Sequence, residues 1–454
     1  MHDSANDSPL DLEAVVDGAR MNAFHARVIA LCALLAMLDG FDTQAIAFVA
    51  PEIAASWHVA SSTFGAVFGL GLFGGLLGAI AMGSAGDRFG RKPVLLVATL
   101  VFAIGSLLSP SATSIGTLAL ARFVTGIGLG GALPGVLALT SEYAPRRWRT
   151  SVVGWMFCGF PLGAVLGGAA ASRLIPAFGW PSVFVAGGLL PLLVWPLVAL
   201  FIPESIRFLA LRGRADAIER VLRRMGCLER WDRRVAAPAR ASQAPVASLF
   251  AESRAVGTLL LWATLFLSLL LTYFLVNWIP VVARQAGLPI QAAVIAVAML
   301  NLGAILGCIA IGALADRGRP ALSIGAAFAL GAFAIAAIGQ VVESAPLLWA
   351  LAFAAGACSV GAQMCTVALC AGFYDTRLRA TGIGWAMGVG RIGAIAGPVL
   401  GGVMLGAGLE PQRLFLLVGV ISLGAAVAVF AVGRERRTNG PPAPALVSGP
   451  LPGP

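Results

Sequence analysis

The sequence predicts an all-α polytopic membrane protein in which twelve transmembrane helices form two pseudo-symmetric six-helix bundles. Three observations lead to this fold class: the composition, the apolar runs and an internal repeat. Of the 454 residues, 59% are hydrophobic and 11% are charged, and the mean hydropathy is +0.89. A soluble core cannot bury that much apolar surface, so the expected solvent is a lipid bilayer.

Twelve apolar runs are long enough to cross a bilayer, since a span needs about 20 residues in a helix, which satisfies its own backbone polar groups. Their predicted limits are 26–49, 63–85, 93–111, 116–141, 151–172, 180–202, 257–281, 291–314, 321–341, 345–373, 380–405 and 412–433. A polar stretch after the sixth run divides the chain into two sets of six. The predicted organisation is a cytoplasmic tail at 1–25, an N-terminal bundle at 26–202, a cytoplasmic central loop at 203–256, a C-terminal bundle at 257–433 and a disordered cytoplasmic tail at 434–454.

Basic residues predict the orientation, because short cytoplasmic loops retain Arg and Lys. Twenty-six of the 31 lie in one set of loops or in the termini; the others are Arg173, Arg284 and Arg413 on the opposite side and Arg122 and Arg391 inside spans. Both termini are expected in the cytoplasm, with the chain in a bacterial-type inner membrane and no signal peptide at its start. This topology explains the net charge of +10, so anionic lipid headgroups rather than nucleic acid are the expected neighbours of the central loop.

The internal repeat relates residues 78–88 (GAIAMGSAGDR) to residues 307–317 (GCIAIGALADR), with matched positions 229 residues apart. Two homologous halves in the same orientation follow. Parallel repeats of this kind occur in secondary transporters, which bind substrate near the membrane midplane between the halves. The functional site is therefore expected between the two bundles.

Residues 86–93 read GDRFGRKP at the junction of the second and third spans, and residues 315–320 (ADRGRP) form a shorter counterpart. The motif resembles that of the major facilitator superfamily and implies gating. Asp87 can pair with Arg91 or accept hydrogen bonds from helix ends in one conformation and release them in another, with a solvated turn as the alternative. Glu142, at the end of the fourth span, belongs either to the gate or to a solvated helix end. The predicted gating residues are Asp87, Arg88, Arg91, Glu142, Asp316 and Arg317.

Four further segments carry a narrower resemblance. The first span reads LDGFD at 38–42, the fourth reads RFVTGIGLGGALPGVLALTSEYAPRR at 122–147, the seventh ends NWIP at 277–280, and the eleventh reads GRIGAIAGPVLGG at 390–402. They resemble the aromatic acid:proton symporters of the superfamily, of the 4-hydroxybenzoate and benzoate type. The resemblance implies proton-coupled transport of small aromatic carboxylates. The sequence departs from it at Gly135, where those symporters often carry Asn.

Four charged residues lie well inside the predicted spans, away from their ends, where each costs about 3 kcal/mol or more unless it is paired or hydrated. Asp39 and Asp42 are three residues apart and share one face of the first span. Arg122 enters the fourth span to a depth close to that of Asp42, which predicts a pair between them. Arg391 lies near the midplane and can receive the carboxylate of a substrate; a structural pair with Asp39 is the alternative, and the two states can alternate.

A carboxylate is the expected proton carrier, because His2, His25 and His58 lie outside the spans or at their edges. Either Asp39 or Asp42 can hold the proton. Two Asp and two Arg sum to zero charge, and adding one anion with one proton leaves the loaded site neutral. Uptake of the anion alone would work against an inside-negative potential at about 2.3 kcal/mol per 100 mV.

The predicted substrate-binding residues are Arg391, Arg122, Tyr273, Asn277, Asn301, Gln363 and Trp385. The amides are included because an apolar helix gains little from them. The aromatic side chains offer surfaces to a substrate ring, with packing or interfacial anchoring as the alternative. No cofactor is expected, and the seven cysteines show no metal-ligand pattern and are expected to pack as small hydrophobes.

The favoured function is proton-coupled import of a benzoate-type or hydroxybenzoate-type acid by alternating access, with one chain sufficient for transport. The alternative is a proton antiporter that exports aromatic or drug-like compounds. Exporters of the superfamily often carry a Gly-rich, Pro-containing motif in the fifth span, which residues 159–168 (GFPLGAVLGG) resemble only in part. An enzyme and a signalling or scaffold protein are disfavoured, because the sequence shows no nucleophile with an apposed base and no nucleotide motif.

Overall fold

The structure, a computed structural model, describes residues 12–17, 19–228, 245–251, 254–317, 319–374 and 376–439. In these ranges twelve helical segments are long and apolar enough to cross a membrane, which confirms the predicted fold class. The helices that form the spans are Ala23–Trp57, Phe64–Phe89, Arg91–Leu108, Ile115–Tyr143, Arg146–Phe157 with Gly159–Phe178, Pro181–Phe201, Ala255–Gln285, Ile290–Ala315, Pro320–Ile338, Ala345–Ala355 with Gly361–Phe373, Thr376–Gly406 and Pro411–Asn439.

The helices extend beyond the apolar runs. The first span continues to Trp57, past the predicted limit at residue 49, because hydropathy detects the part of a helix that lies in hydrocarbon and not its polar extension. The predicted central loop contains two short helices, Ile206–Leu211 and Ala215–Met225, and the last span runs into the predicted C-terminal tail as far as Asn439. The remainder of the three predicted polar segments lies largely outside the described residues.

One side chain joins the start of the first span to the central segment. Asn22 accepts a hydrogen bond from the backbone N–H of Phe24 at 3.0 Å, which caps the first span. Its amide nitrogen donates to the carbonyl oxygens of Arg224 and Met225, at 3.1 Å each, at the end of the helix Ala215–Met225. The apolar face of that helix is buried, so this part of the central segment is fixed to the N-terminal bundle.

Close contacts between spans recur in the two halves. A Cβ built at Gly78 of the second span would lie 2.0 Å from the carbonyl oxygen of Ile127 in the fourth. A Cβ built at Gly307 of the eighth span would lie 2.1 Å from the carbonyl oxygen of Ala357 in the tenth. The helix backbones approach so closely that glycine alone fits without a shift. Because Gly78 and Gly307 are matched positions of the sequence repeat, the repeat is also one of packing.

The two halves share a core at one end of the bundle. We call the end that carries the start of the first span, the central segment and the end of the last span the terminal face, and the opposite end the distal face. Toward the distal face one core cluster includes Phe48 and Ile53 of the first span together with Leu275 and Val282 of the seventh. Toward the terminal face each half has a cluster of its own. The halves are therefore packed together distally and have separate cores at the terminal face.

Candidate functional site

Asp42 and Arg122 form an ion pair inside the N-terminal half, as their predicted depths suggest. The Arg122 guanidinium donates to Asp42 Oδ2 at 3.1 Å, and the two side chains are 4% and 1% exposed. Ser106 donates to the other carboxylate oxygen at 2.6 Å. Arg122 also donates to the hydroxyl oxygens of Ser109 and Thr125, at 2.8 Å each. Both charges are thus paired and hydrogen-bonded, which a buried ion pair requires.

This network is enclosed within one half. Its members come from the first, third and fourth spans, and Phe184 of the sixth span places its ring 4.5 Å from the Arg122 guanidinium carbon. Such a cation–π contact adds to the stabilisation of a desolvated guanidinium. Arg122 was predicted to bind substrate, but in this conformation its donors point into the network and the side chain is buried. Its observed contacts are structural.

Asp39 lies one helical turn before Asp42 in a different environment. Its side chain is partly exposed, and its Oδ1 accepts a hydrogen bond from the Thr43 hydroxyl at 3.0 Å. The carboxyl also lines a small pocket that is otherwise apolar, with Leu35 and Leu129 in its wall. Asp39 therefore remains accessible, whereas Asp42 is enclosed.

An electrostatic interaction links Asp39 to Arg391 of the C-terminal half. The Arg391 guanidinium and the Tyr273 hydroxyl are both close enough to interact electrostatically with the Asp39 carboxyl. Arg391 is only partly buried. An acid of one half and a base of the other therefore lie within electrostatic range of each other, as the repeat predicts for a site between the bundles.

The other predicted binding residues of the C-terminal half have varied surroundings. Asn277 is buried, and its amide donates to the backbone oxygen of Tyr273 at 2.7 Å. Gln363 is also buried. Trp385, on the same span as Arg391, is 47% exposed and stacks on Trp262 with ring centroids 6.0 Å apart. The predicted aromatic surface is thus a stacked pair of tryptophans.

The gating motif lies at the terminal face. Asp87 forms an ion pair with Arg91, and the Asp87 side chain is 72% exposed. The backbone oxygen of Arg88 accepts a hydrogen bond from Arg212 at 2.7 Å. The counterparts in the second half, also exposed, are Asp316 and Arg317. In this conformation the acidic groups of the motif are open to solvent.

Glu204, which the sequence did not single out, holds the start of the third span. Its Oε1 accepts hydrogen bonds from the backbone N–H groups of Arg91 at 2.8 Å and Lys92 at 3.2 Å. A helix N-terminus favours such a negative charge. The neighbouring Ser205 donates its hydroxyl to Glu142 at 2.6 Å. Glu142 is therefore hydrogen-bonded to the segment that follows the sixth span and is only partly exposed, and its role in gating stays a prediction.

Two polar contacts connect the halves toward the distal face. Gln44 and Asn301 exchange hydrogen bonds between their amides, at 3.4 Å and 3.2 Å, and both are buried. Nearer the end of the bundle, Arg284 donates to Glu52 at 2.7 Å. Asn301 was predicted to bind substrate; in this conformation its amide is engaged with the opposite half.

Sequence reasoning missed the polar residues that complete these contacts, which are Gln44, Ser106, Ser109, Thr125 and Glu204. Hydroxyl residues give a weak signal, since in a membrane helix they can bond to their own backbone. Gln44 gave a clearer signal in the sequence. Its side-chain amide lies in an apolar span and needs a hydrogen-bond partner, as the amide of Asn301 does.

Two repeated six-helix halves, opposite charges of the two halves within electrostatic range and polar contacts that join the halves at one face define an alternating-access membrane transporter. The sequence model of the Major Facilitator Superfamily matches residues 32–389. The chain belongs to this superfamily.

Comparison with known proteins confirms the narrower resemblance. The chain is 39% identical to the gallate transporter of Pseudomonas putida, over 95% of this chain and 96% of the relative. It is 37% identical to the 4-hydroxybenzoate transporter PcaK of the same organism, over 93% and 96%. The fold is similar to the crystal structure of a bacterial homologue of the human lysosomal transporter Spinster in an inward-facing, unoccupied conformation, with a TM-score of 0.73, 18% identity and coverage of 93% and 100%.

Proposed function

We propose that this protein imports small aromatic carboxylates of the benzoate or hydroxybenzoate class together with protons, by alternating access of its two halves. The observation that carries the proposal is that Asp39 of one half lies within electrostatic range of Arg391 of the other, while Asp42 is held by Arg122. The relatives that transport gallate and 4-hydroxybenzoate support the substrate class.

Arg391 captures the substrate carboxylate. Its planar guanidinium matches a carboxylate and stays charged at physiological pH. The predicted spans of its half contain no acidic residue, so its available counter-charges are Asp39 of the other half and the substrate. Tyr273 lies within electrostatic range of both charges and contributes a hydroxyl and a ring surface to the site.

Asp39 carries the proton. Ionised Asp39 and the substrate carboxylate compete for Arg391, since both are anions near one cation. Protonation of Asp39 removes its hold on Arg391 and frees the guanidinium for the substrate; loss of the proton restores the attraction and helps to release the substrate. One proton with one carboxylate also makes the step electroneutral, which removes the opposing effect of about 2.3 kcal/mol per 100 mV.

The terminal face is cytoplasmic in this proposal, in an inner membrane, because the basic loops lie there. The present conformation is then open toward the cytoplasm, since the halves have separate cores at that face and share one distally. The exposed arginines of the helix Ala215–Met225 face anionic lipid headgroups. One chain contains both halves and functions alone.

Uptake into proteoliposomes tests the proposal. Labelled 4-hydroxybenzoate should accumulate with an inward proton gradient and not without one. Asp39→Asn, which imitates a permanently protonated carboxyl, should abolish accumulation while exchange of internal for external substrate continues. Glu343→Gln, an exposed loop variant, is the matched control. Accumulation of substrate without a proton gradient would rule out proton coupling, and so would accumulation by Asp39→Asn at the wild-type level. Net outward movement of substrate under a physiological proton gradient would show that the protein is an exporter.

A further inference from the structure

Two cysteine thiols lie together in the C-terminal half. The Sγ atoms of Cys308 in the eighth span and Cys365 in the tenth are 4.0 Å apart, and the Cys365 thiol donates to the backbone oxygen of Cys308 at 3.5 Å. Cys308 is partly exposed, and Cys365 is 8% exposed. Packing as small hydrophobes does not by itself require two sulfurs at this distance.

The separation of the sulfurs suits one shared metal ion. Two thiolates that are each about 2.3 Å from an ion lie about 3.8 Å apart at a tetrahedral angle and about 4.6 Å apart when opposite each other. The observed 4.0 Å falls between these limits. Among the residues that the structure describes, no group of three or more His, Cys, Asp or Glu is arranged to hold a metal. The ion must therefore be one that accepts two protein ligands, and thiolates select soft ions.

The net charge of the occupied site limits which ion can bind there. Binding of a divalent ion to two thiols releases two protons and leaves a neutral product, whereas a monovalent ion leaves a net negative charge. An unpaired charge is costly in apolar surroundings, and Asp316 adds a negative charge close enough to interact with Cys365. We propose that Cys308 and Cys365 form a two-thiolate site for a soft divalent ion that accepts two ligands, of which Hg(II) is the type.

Occupation of this site would link the final segment of the tenth span to the eighth span. That span is α-helical over Ala345–Ala355, passes through a π-helical turn at Gly356–Val360 and continues over Gly361–Phe373. Such turns are frequent at functional sites in helices. Cys365 lies beyond the turn, so an ion that holds it to Cys308 fixes the final segment of the tenth span against the eighth.

The pair is within reach of the space between the halves. Cys158 of the N-terminal half is exposed and close enough to Cys308 to interact with it electrostatically. An ion can therefore reach Cys308 from that side. Because Cys158 would itself bind mercury, Cys158→Ser is the background in which the pair is tested.

Mercuric chloride and the purified full-length protein provide the test. In the Cys158→Ser background we expect one Hg(II) per chain to protect Cys308 and Cys365 together from maleimide, read by peptide mass spectrometry. Cys308→Ser and Cys365→Ser should each weaken Hg(II) binding about 100-fold or more, because a second ligand on the same scaffold acts at high effective concentration. Cys370→Ser, which changes a cysteine on the same span as Cys365, should leave the affinity for Hg(II) unchanged.

Protection of one thiol without the other, or unchanged binding in either single variant, would overturn the site. Uptake provides a second readout: Hg(II) should block it in the Cys158→Ser background, and a small dithiol should restore it. If protein with Hg(II) on both thiols continued to take up substrate, the proposal that the bound ion blocks transport by fixing the tenth span to the eighth would be wrong. The mercury measurement uses no transported solute, so its result is independent of the proposed substrate.

Discussion

The two halves of this transporter share a scaffold and differ in their chemistry. Gly78 and Gly307 make equivalent close contacts between spans, 229 residues apart in the chain. The N-terminal half contains the buried pair of Asp42 and Arg122 and also carries Asp39. Well inside the predicted spans of the C-terminal half, away from their ends, Arg391 is the one charged residue, and these spans contain no acid.

The difference indicates a division of roles between the halves. Duplication of a six-helix unit explains the common packing, while the unequal charges allow one half to hold the proton and the other to hold the anion. The tenth span differs from its counterpart as well: the fourth is α-helical throughout Ile115–Tyr143, whereas the tenth includes the turn at Gly356–Val360. Both the charge and the π-helical turn are therefore distributed unequally over a repeated framework.

The largest expected effect is on stability and concerns the charge network of the N-terminal half. Asp42→Asn leaves the Arg122 guanidinium buried without its counter-ion and should destabilise the protein by about 3–5 kcal/mol. Thermal unfolding in detergent measures this. Asp39→Asn, one turn away on the same span, is the control and should change stability far less. Equal effects of the two variants would remove the distinction between a structural and a functional aspartate.

The next effect concerns Arg391, the charge that lies well inside the spans of the C-terminal half. Arg391→Ala should weaken binding of 4-hydroxybenzoate about 10- to 150-fold, since a charged hydrogen bond contributes about 1.5–3 kcal/mol. The affinity of Arg391→Lys should fall between those of the wild-type protein and Arg391→Ala, because lysine keeps the charge but loses the planar guanidinium. Equilibrium binding to purified protein is the measurement, with the exposed Arg413→Ala as control. Unchanged affinity in Arg391→Ala would exclude this residue as the anion receptor.

The shared scaffold is tested by matched glycine substitutions. Gly78→Ala and Gly307→Ala should each destabilise the protein by about 1–3 kcal/mol, because the new methyl group forces two helix backbones apart. Gly83→Ala and Gly312→Ala are repeat-related controls, since a Cβ at either position meets nothing within 4 Å. Destabilisation in one half alone would show that the repeat is not equivalent in packing.

The smallest expected effect is on the contact between the halves. Asn301→Ala removes the hydrogen bonds to Gln44 and should favour opening of the distal face by up to about tenfold, as expected for about 0.5–1.5 kcal/mol. Spin labels at Ala55 and Gln285, both exposed, would report the distance between the halves by electron–electron double resonance. Gln340→Ala, at an exposed amide, is the control. An unaltered distance distribution in Asn301→Ala would show that the amide pair does not hold this face closed.

Much of the fold could be predicted, while only part of the site could. The twelve spans follow from hydropathy, and the two halves follow from a repeat visible in eleven residues of each. The pair of Asp42 and Arg122 was predictable from their depths in separate helices. The hydrogen bonds between Gln44 and Asn301 could not be predicted, because they depend on how closely the first and eighth spans approach each other.

The sequence by itself determined that four charged side chains lie in hydrocarbon and that the chain is a duplicated set of helices. Both conclusions rest on local properties, the transfer cost of a side chain and the identity of residues along the chain. The tertiary structure alone decided that Ser106, Ser109 and Thr125 complete the network around the ion pair of the N-terminal half. It also decided that Asp39 and Arg391 come within electrostatic range and that the halves are joined distally. These facts depend on the rotation of each helix about its axis and on contacts between distant segments, which depth and periodicity do not specify.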